Sequence, residues 1–280
     1  MSNLREVLNH FLPSILIFIL MVGAISSCSK NKYSESDMIS YVSFMNGLNE
    51  IQHVAQMVDQ APNKYPSCEL NFDDYLSYFN ELEVDSGWTV SYYYQYSGGG
   101  GEPVLYAHKK PDSSAASYID SVRKGLRTNA IGYSDYYMLD SLQQHIGQEN
   151  YMHPFHVNQS QMGYFQFTVF SLIGENFCLF WHANYKQRTI VVSKKQLNNI
   201  IEGADNNYYH FTESEKQNLQ GLNLAPEILL NEDSAEIRIV TLSPWRGLIE
   251  WKYSITYGWP HKMYKLERNT LFEYDCGIIL

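Results

Sequence analysis

No stretch of this 280-residue chain is apolar for long enough to cross a bilayer. The longest such run, Phe11 to Ile25, is interrupted by Pro13 and Ser14, whereas a spanning helix needs about 20 apolar residues. Basic residues are scarce: 20 Lys and Arg stand against 30 Asp and Glu. Phosphate contacts need Lys and Arg, so nucleic acid is excluded as a natural partner. Cysteine occurs four times, too rarely for a disulfide-built scaffold. No P-loop, HExxH, CxxC or calcium loop is present, so no cofactor or metal is implied. There is no internal repeat, and no long linker follows Asp37.

Three near-misses read better as structure than as chemistry. Gly98 to Gly101 are followed by Glu102 and Pro103, without the lysine a phosphate loop requires. They suit a turn between two strands. Gly132-Tyr133-Ser134 lacks the closing glycine of a nucleophile elbow, and Ser134 fits the cap of a helix near Asp135. Cys178 and His182 share one expected strand. Four residues of strand rise about 13 Å, far beyond the roughly 3 Å between a nucleophile and its base.

Two features stand out among what is present. Tyrosine is abundant, 23 of 280 residues, which fits half-buried strands and contact surfaces. The segment from Tyr65 to His108 carries no Lys or Arg, but it holds Glu69, Asp73, Asp74, Glu81, Glu83, Asp85 and Glu102. A solvated face answered by Lys109, Lys110 and Arg123 is the plain reading. A surface for a basic partner is the sharper one.

The apolar run ends at Ile25-Ser26-Ser27-Cys28. Its length matches the apolar section of a secretion signal. These four residues resemble the lipobox of bacterial lipoproteins, although Ile25 stands where Leu is usual. The resemblance covers the first 28 residues. It implies cleavage before Cys28, a diacylglycerol thioether and fatty acyl chains such as palmitate on that cysteine, and anchoring to the membrane. Several acyl chains hold a protein firmly, at about 0.8 kcal/mol per buried methylene. Ala24-Ile25-Ser26 also fits an ordinary cleavage site, and a retained anchor is the third reading. Ser29 after the cysteine resembles the outer-membrane sorting pattern; whether the protein would face the periplasm or the cell exterior stays open. The expected organisation is a signal at 1–27, a polar tether at 28–37 and one domain at 38–280. Of the remaining cysteines, Cys178 reads as a small buried hydrophobe, and Cys68 and Cys276 are the pair better placed for a bridge.

Spacing of three and four from Met38 to Val58 predicts a helix, with Ser34 as a possible cap and Pro62 beyond its end. Phe72 to Leu82 suggests a second, with Asp73 and Asp74 in its first turn. Trp88 to Tyr96 alternates as a strand, returning from Val104. Helices are expected after Asp112 and over Asp135–Ile146. Tyr164–Ser193 reads as three antiparallel strands, GYFQFTVFSL, FCLFWHAN and RTIVVS, at a sheet's centre. KKQLNNIIEGA and TESEKQNLQGL read as helices, the second opened by Thr212 and Glu215. From Glu227 the chain returns to strands. The fold class is α+β: a mainly antiparallel twisted sheet with helices packed on one side.

Candidate contacts follow from side-chain type. His153 and His156 lie close together in an expected loop, and His182 supplies a third ring that a ligand or transition metal would use. Tyr92, Tyr93 and Tyr94, with Trp181, Trp245, Trp251 and Trp259, offer stacking faces for sugar rings. The leading expectation is an envelope lipoprotein anchored through Cys28 that binds or scaffolds an envelope protein or glycan. An envelope hydrolase drawing on His153, His156, His182 and Cys178 is the alternative. An immunity-type lipoprotein turning its acidic segment to a basic toxin is the third reading.

Overall fold

Alternating side chains dictate most of the architecture in the computed structural model. It describes residues 35–54, 57–58, 67–68, 70–97, 100–110, 130–132, 150–181, 183, 188–203 and 209–277. Cys28, Ser34, Pro62, Ser134, His182 and the two helices expected after Asp112 and at Asp135 lie outside the described residues. The elements run α1 (Glu35–Val54), β1 (Met57–Val58), β2 (Ser67–Cys68), α2 (Phe72–Ser77), β3 (Leu82–Val84), β4 (Trp88–Ser97), β5 (Gly100–Lys109) and β6 (Ala130–Gly132). Then come β7 (Phe155–Val157), α3 (Gln161–Ile173), β8 (Phe180–Trp181), β9 (Thr189–Val191), α4 (Lys194–Glu202) and α5 (Glu213–Gln220). The chain closes with β10 (Glu227–Leu230), β11 (Ser234–Ser243), β12 (Gly247–Thr256) and β13 (Met263–Phe272). The class is α+β, and its sheets are antiparallel except where β4 meets β6.

The larger sheet has five strands in the order β10-β11-β12-β13, with β9 also on β11. β11 and β12 pair over their full length, from Ser234↔Thr256 to Ser243↔Gly247. The turn between them is Pro244-Trp245-Arg246. Gly247 closes it at φ +69, where a Cβ would stand 2.1 Å from the Phe272 carbonyl oxygen. Only glycine fits there. Val240 and Leu242 on β11 join Leu197 and Ile201 of α4 and Leu219 of α5 in one buried cluster. Ile239 and Thr241 project oppositely, as the period of two requires.

A second sheet has four strands, β6-β4-β5-β8, and β1-β2 and β3-β7 pair as two-stranded sheets. Gly101 sits in β5 opposite Tyr96, where a Cβ would meet the Tyr94 hydroxyl oxygen at 2.3 Å. The glycine run thus continues as strand at Gly100, and one of its members makes room for the ring of Tyr94.

α3 corrects the sequence reading. GYFQFTVFSL, Gly163–Leu172, is expected as the first strand of a central block and instead lies within a helix, Gln161–Ile173, buried from Gly163 through Phe170. A helix apolar on every side shows no amphipathic period, so its run of aromatics mimics a buried strand. Two signals favoured the helix: its 13-residue length, and Ser160, whose hydroxyl caps it by accepting from Gly163 N–H at 2.9 Å. Phe165 packs on Tyr41 and Phe44 of α1, and Phe170 on Tyr75, Phe79 and Phe155. The expected three-strand block is therefore divided: a helix, a two-residue strand on β5, and β9 on β11.

The disulfide also departs from expectation. Cys178 bonds Cys68, with Cα atoms 5.7 Å apart, and Cys276 is free. Cys178 has a left-handed backbone, φ 49, so it lies in a connection rather than a strand. The pairing depends on how α3 returns the chain to β2, a distance sequence spacing does not carry.

Candidate functional site

Tyr92, Tyr93 and Tyr94 are all buried in β4. The Tyr92 hydroxyl donates to the carbonyls of Cys68 and Leu70, and the Tyr94 hydroxyl to that of Cys178 at 3.0 Å. Two of the three rings thereby brace the chain around the disulfide, and none presents a face for a sugar. Asp73 and Asp74 occupy the first turn of α2 as expected, under the cap of Asn71. The acidic segment is divided among local partners. Asp74 accepts from Asn71, Glu81 from Asn158 and Ser160, and Asp85 from Gly87 N–H.

His153 and His156 do come together, around an unexpected third ring. Trp259, at the turn between β12 and β13, stacks on His156 at 5.2 Å and meets His153 edge-on at 5.5 Å. His153 also touches Trp88 at 5.1 Å. His156 Nε2 bonds the Asp85 carboxylate at 3.2 Å; this bond and, more strongly, that from Gly87 hold the carboxyl below its ordinary range. His261 from the same turn accepts Val157 N–H at Nε2 (3.3 Å) and donates from Nδ1 to the Thr256 carbonyl (2.8 Å). Those two bonds require the neutral ring. Burial holds its pKa below the ordinary value, despite the Thr256 bond, and His156 nearby adds to the lowering. Among the described residues no three His, Cys, Asp or Glu side chains gather as metal ligands. These rings pin the β12–β13 turn onto β7.

A cavity lies elsewhere, at the opposite end of β12. It measures about 550 Å³, between the C-terminal end of α3 with the connection after it and the face of β11 and β12. Trp245 and Arg246 reach it from the tight turn at Gly247. Trp251 and Thr241 form its floor, and Trp251 Nε1–H donates to Thr241 Oγ1 at 2.9 Å, which fixes the indole. Arg188 supplies a second guanidinium, and Glu102 and Glu175 bring carboxylates to the wall. Glu175 is held by Leu105 N–H at 2.8 Å. The cavity thus combines indoles, guanidinium donors and carboxylate acceptors. This is the composition that a polar, ring-containing ligand needs for both stacking and hydrogen bonding.

Trp245 and Trp251 were among the aromatics the sequence singled out; Arg188, Arg246, Glu102 and Glu175 were not assigned to a site. The signal for Trp245 and Arg246 was Ser243-Pro-Trp-Arg-Gly247, a tight turn carrying two large side chains that a turn does not require. Cys178, once paired with Cys68, provides no thiolate for hydrolysis. The chain matches no family model, no curated protein and no solved structure. No helix among the described residues is long and apolar enough to cross a membrane.

Proposed function

We propose that the chain is a lipid-anchored envelope protein, held through an acylated Cys28, whose folded domain binds an envelope saccharide. The observation that carries the binding reading is the cavity of about 550 Å³ with its mixed lining. Its volume lies within the roughly 300–1,000 Å³ of small-ligand sites. Arg246 and Trp245 project from a turn whose geometry is already set by Gly247, so little ordering is needed on binding. Carboxylates beside guanidinium groups suit a ligand with many hydroxyls, each both donor and acceptor. The Ile25–Cys28 lipobox pattern supports placement in the bacterial envelope, and Ser29 supports the outer membrane.

The test is calorimetric titration of the full-length protein in neutral detergent with oligosaccharides released from the producing cell's envelope. Saturable binding is expected. Arg246→Ala should weaken it at least tenfold without changing thermal unfolding, and Trp245→Ala, which truncates a half-buried indole, should weaken it at least tenfold. Absence of binding, or variants as tight as the parent, would refute the cavity as the binding site.

A further inference from the structure

Resting on that reading, we infer that the saccharide is acidic, and that a basic shelf beside the cavity, built by a bulge in β13, recognises its carboxylate or phosphate groups. Three cations converge on one ring. Arg268 Cζ lies 5.6 Å, Lys265 Nζ 5.9 Å and Arg188 Cζ 6.0 Å from the centre of the Trp251 indole. Attraction to the ring's electron-rich faces offsets part of their mutual repulsion. Among the described residues, none of these three side chains forms an ion pair with a carboxylate. The neighbouring pairs Arg238–Glu250 and Lys252–Glu267 are closed, and they occupy the opposite face of β12, one residue out of step with Trp251 and Tyr253.

The shelf depends on an irregularity in β13. Lys265 and Arg268 are three residues apart, so an unbroken strand would send them to opposite faces. The register runs Trp251↔Arg268, Lys252↔Glu267 and then Tyr253↔Lys265, which leaves Leu266 without an opposite residue. That one extra residue returns Lys265 to the face of Arg268. Bulges re-aim side chains in this way and recur beside functional sites. Arg188 arrives from the start of β9, and both it and Trp251 also line the cavity, so shelf and cavity are continuous. In a chain of net charge −10, such a gathering of unpaired cations marks where negative charge is received.

The cavity chemistry selects the ligand class. A bare phosphate would meet Glu102 and Glu175 as well as the guanidinium groups. A sugar carrying an acid substituent separates the two demands: its hydroxyls face the carboxylates and Trp245, and its acid group faces Arg188, Lys265 and Arg268.

The experiment titrates full-length protein in neutral detergent with uronate-bearing and phosphate-bearing oligosaccharides, with their carboxyl-reduced or dephosphorylated counterparts, and with phosphatidylglycerol vesicles. At least one acidic oligosaccharide should bind ten or more times more tightly than its neutral counterpart. Lys265→Gln with Arg268→Gln should remove that preference and flatten the salt dependence, leaving neutral-sugar affinity and thermal unfolding unchanged. Equal affinity for acidic and neutral forms, or an unaltered preference in the double variant, would overturn the inference while leaving the saccharide cavity standing. Binding to no oligosaccharide would overturn both. Binding to vesicles in preference to every oligosaccharide would make the shelf a lipid-facing surface and overturn the acidic-sugar assignment.

Discussion

His261 shows how much one ring can carry. Its Nε2 accepts from Val157 and its Nδ1–H serves Thr256, so protonation would set two donors against each other. The folded chain therefore binds this proton less readily than the unfolded chain, whose imidazole titrates near 6.5. Above that pH the ring is neutral in both states and stability is level. Below it the unfolded chain gains the proton first, and stability falls as pH falls, by at most about 1.4 kcal/mol per pH unit from this group, until the folded ring also titrates. Denaturant melts from pH 8 to 5 should show that decline, and His261→Gln should reduce it; an unchanged slope would remove His261 from the account. The sequence singled out His153 and His156 for their nearness along the chain, but not Trp259 as the ring that contacts both, because that contact closes across about a hundred residues of chain. The tyrosines of β4 followed their alternation, but alternation does not reveal that both faces are covered, as the burial of Tyr93 beside Tyr94 shows.

Elements were legible wherever local signals agreed. Thr212 and Glu215 form the expected reciprocal cap of α5, and β10 to β13 are strands, as expected from Glu227 onward. α3 was misread because burial on every side erases the helical period. The cap of that helix gives a direct check. Ser160→Ala should cost about 1 kcal/mol, the usual value of a lost N-cap, measured by chemical denaturation; no loss would mean the cap contributes nothing. Gly101→Ala in β5 places a methyl group against the Tyr94 hydroxyl. It should destabilise by about 1–3 kcal/mol through overpacking, and Tyr94→Phe in the same chain should recover part of that loss. β13 is a long edge strand, yet Lys265, Glu267 and Arg268 and its two register shifts make it a poor template for further strands. The irregularity that blunts the edge also aims the cations. No sequence pattern announces it, because a bulge becomes visible only once the partner strand is known.

At the scale of the whole molecule, one covalent link and one proposed anchor set the boundary conditions. The Cys68–Cys178 bridge closes 110 residues of sequence. Reducing it, or replacing both cysteines by alanine, should cost about 2–5 kcal/mol, seen as a lower melting temperature in reductant; an unchanged melt would show that the bridge is dispensable. Cys28→Ser should move the protein from the membrane fraction to the soluble one or leave it uncleaved, as intact mass would report. Two clusters lie at opposite ends of β12: the histidine–tryptophan cluster at the β12–β13 turn, and the cavity at the β11–β12 turn. The rings of the first are bonded to neighbouring strands, whereas Arg188 and Arg246 bring guanidinium groups to the cavity of the second, and that contrast is why binding is proposed there. Amide hydrogen exchange on the full-length protein, with and without an acidic envelope oligosaccharide, tests this most directly. The account predicts protection at Ser243–Gly247 and along Met263–Arg268, with the Trp259 turn unchanged. Protection confined to the Trp259 turn, or none anywhere, would contradict it.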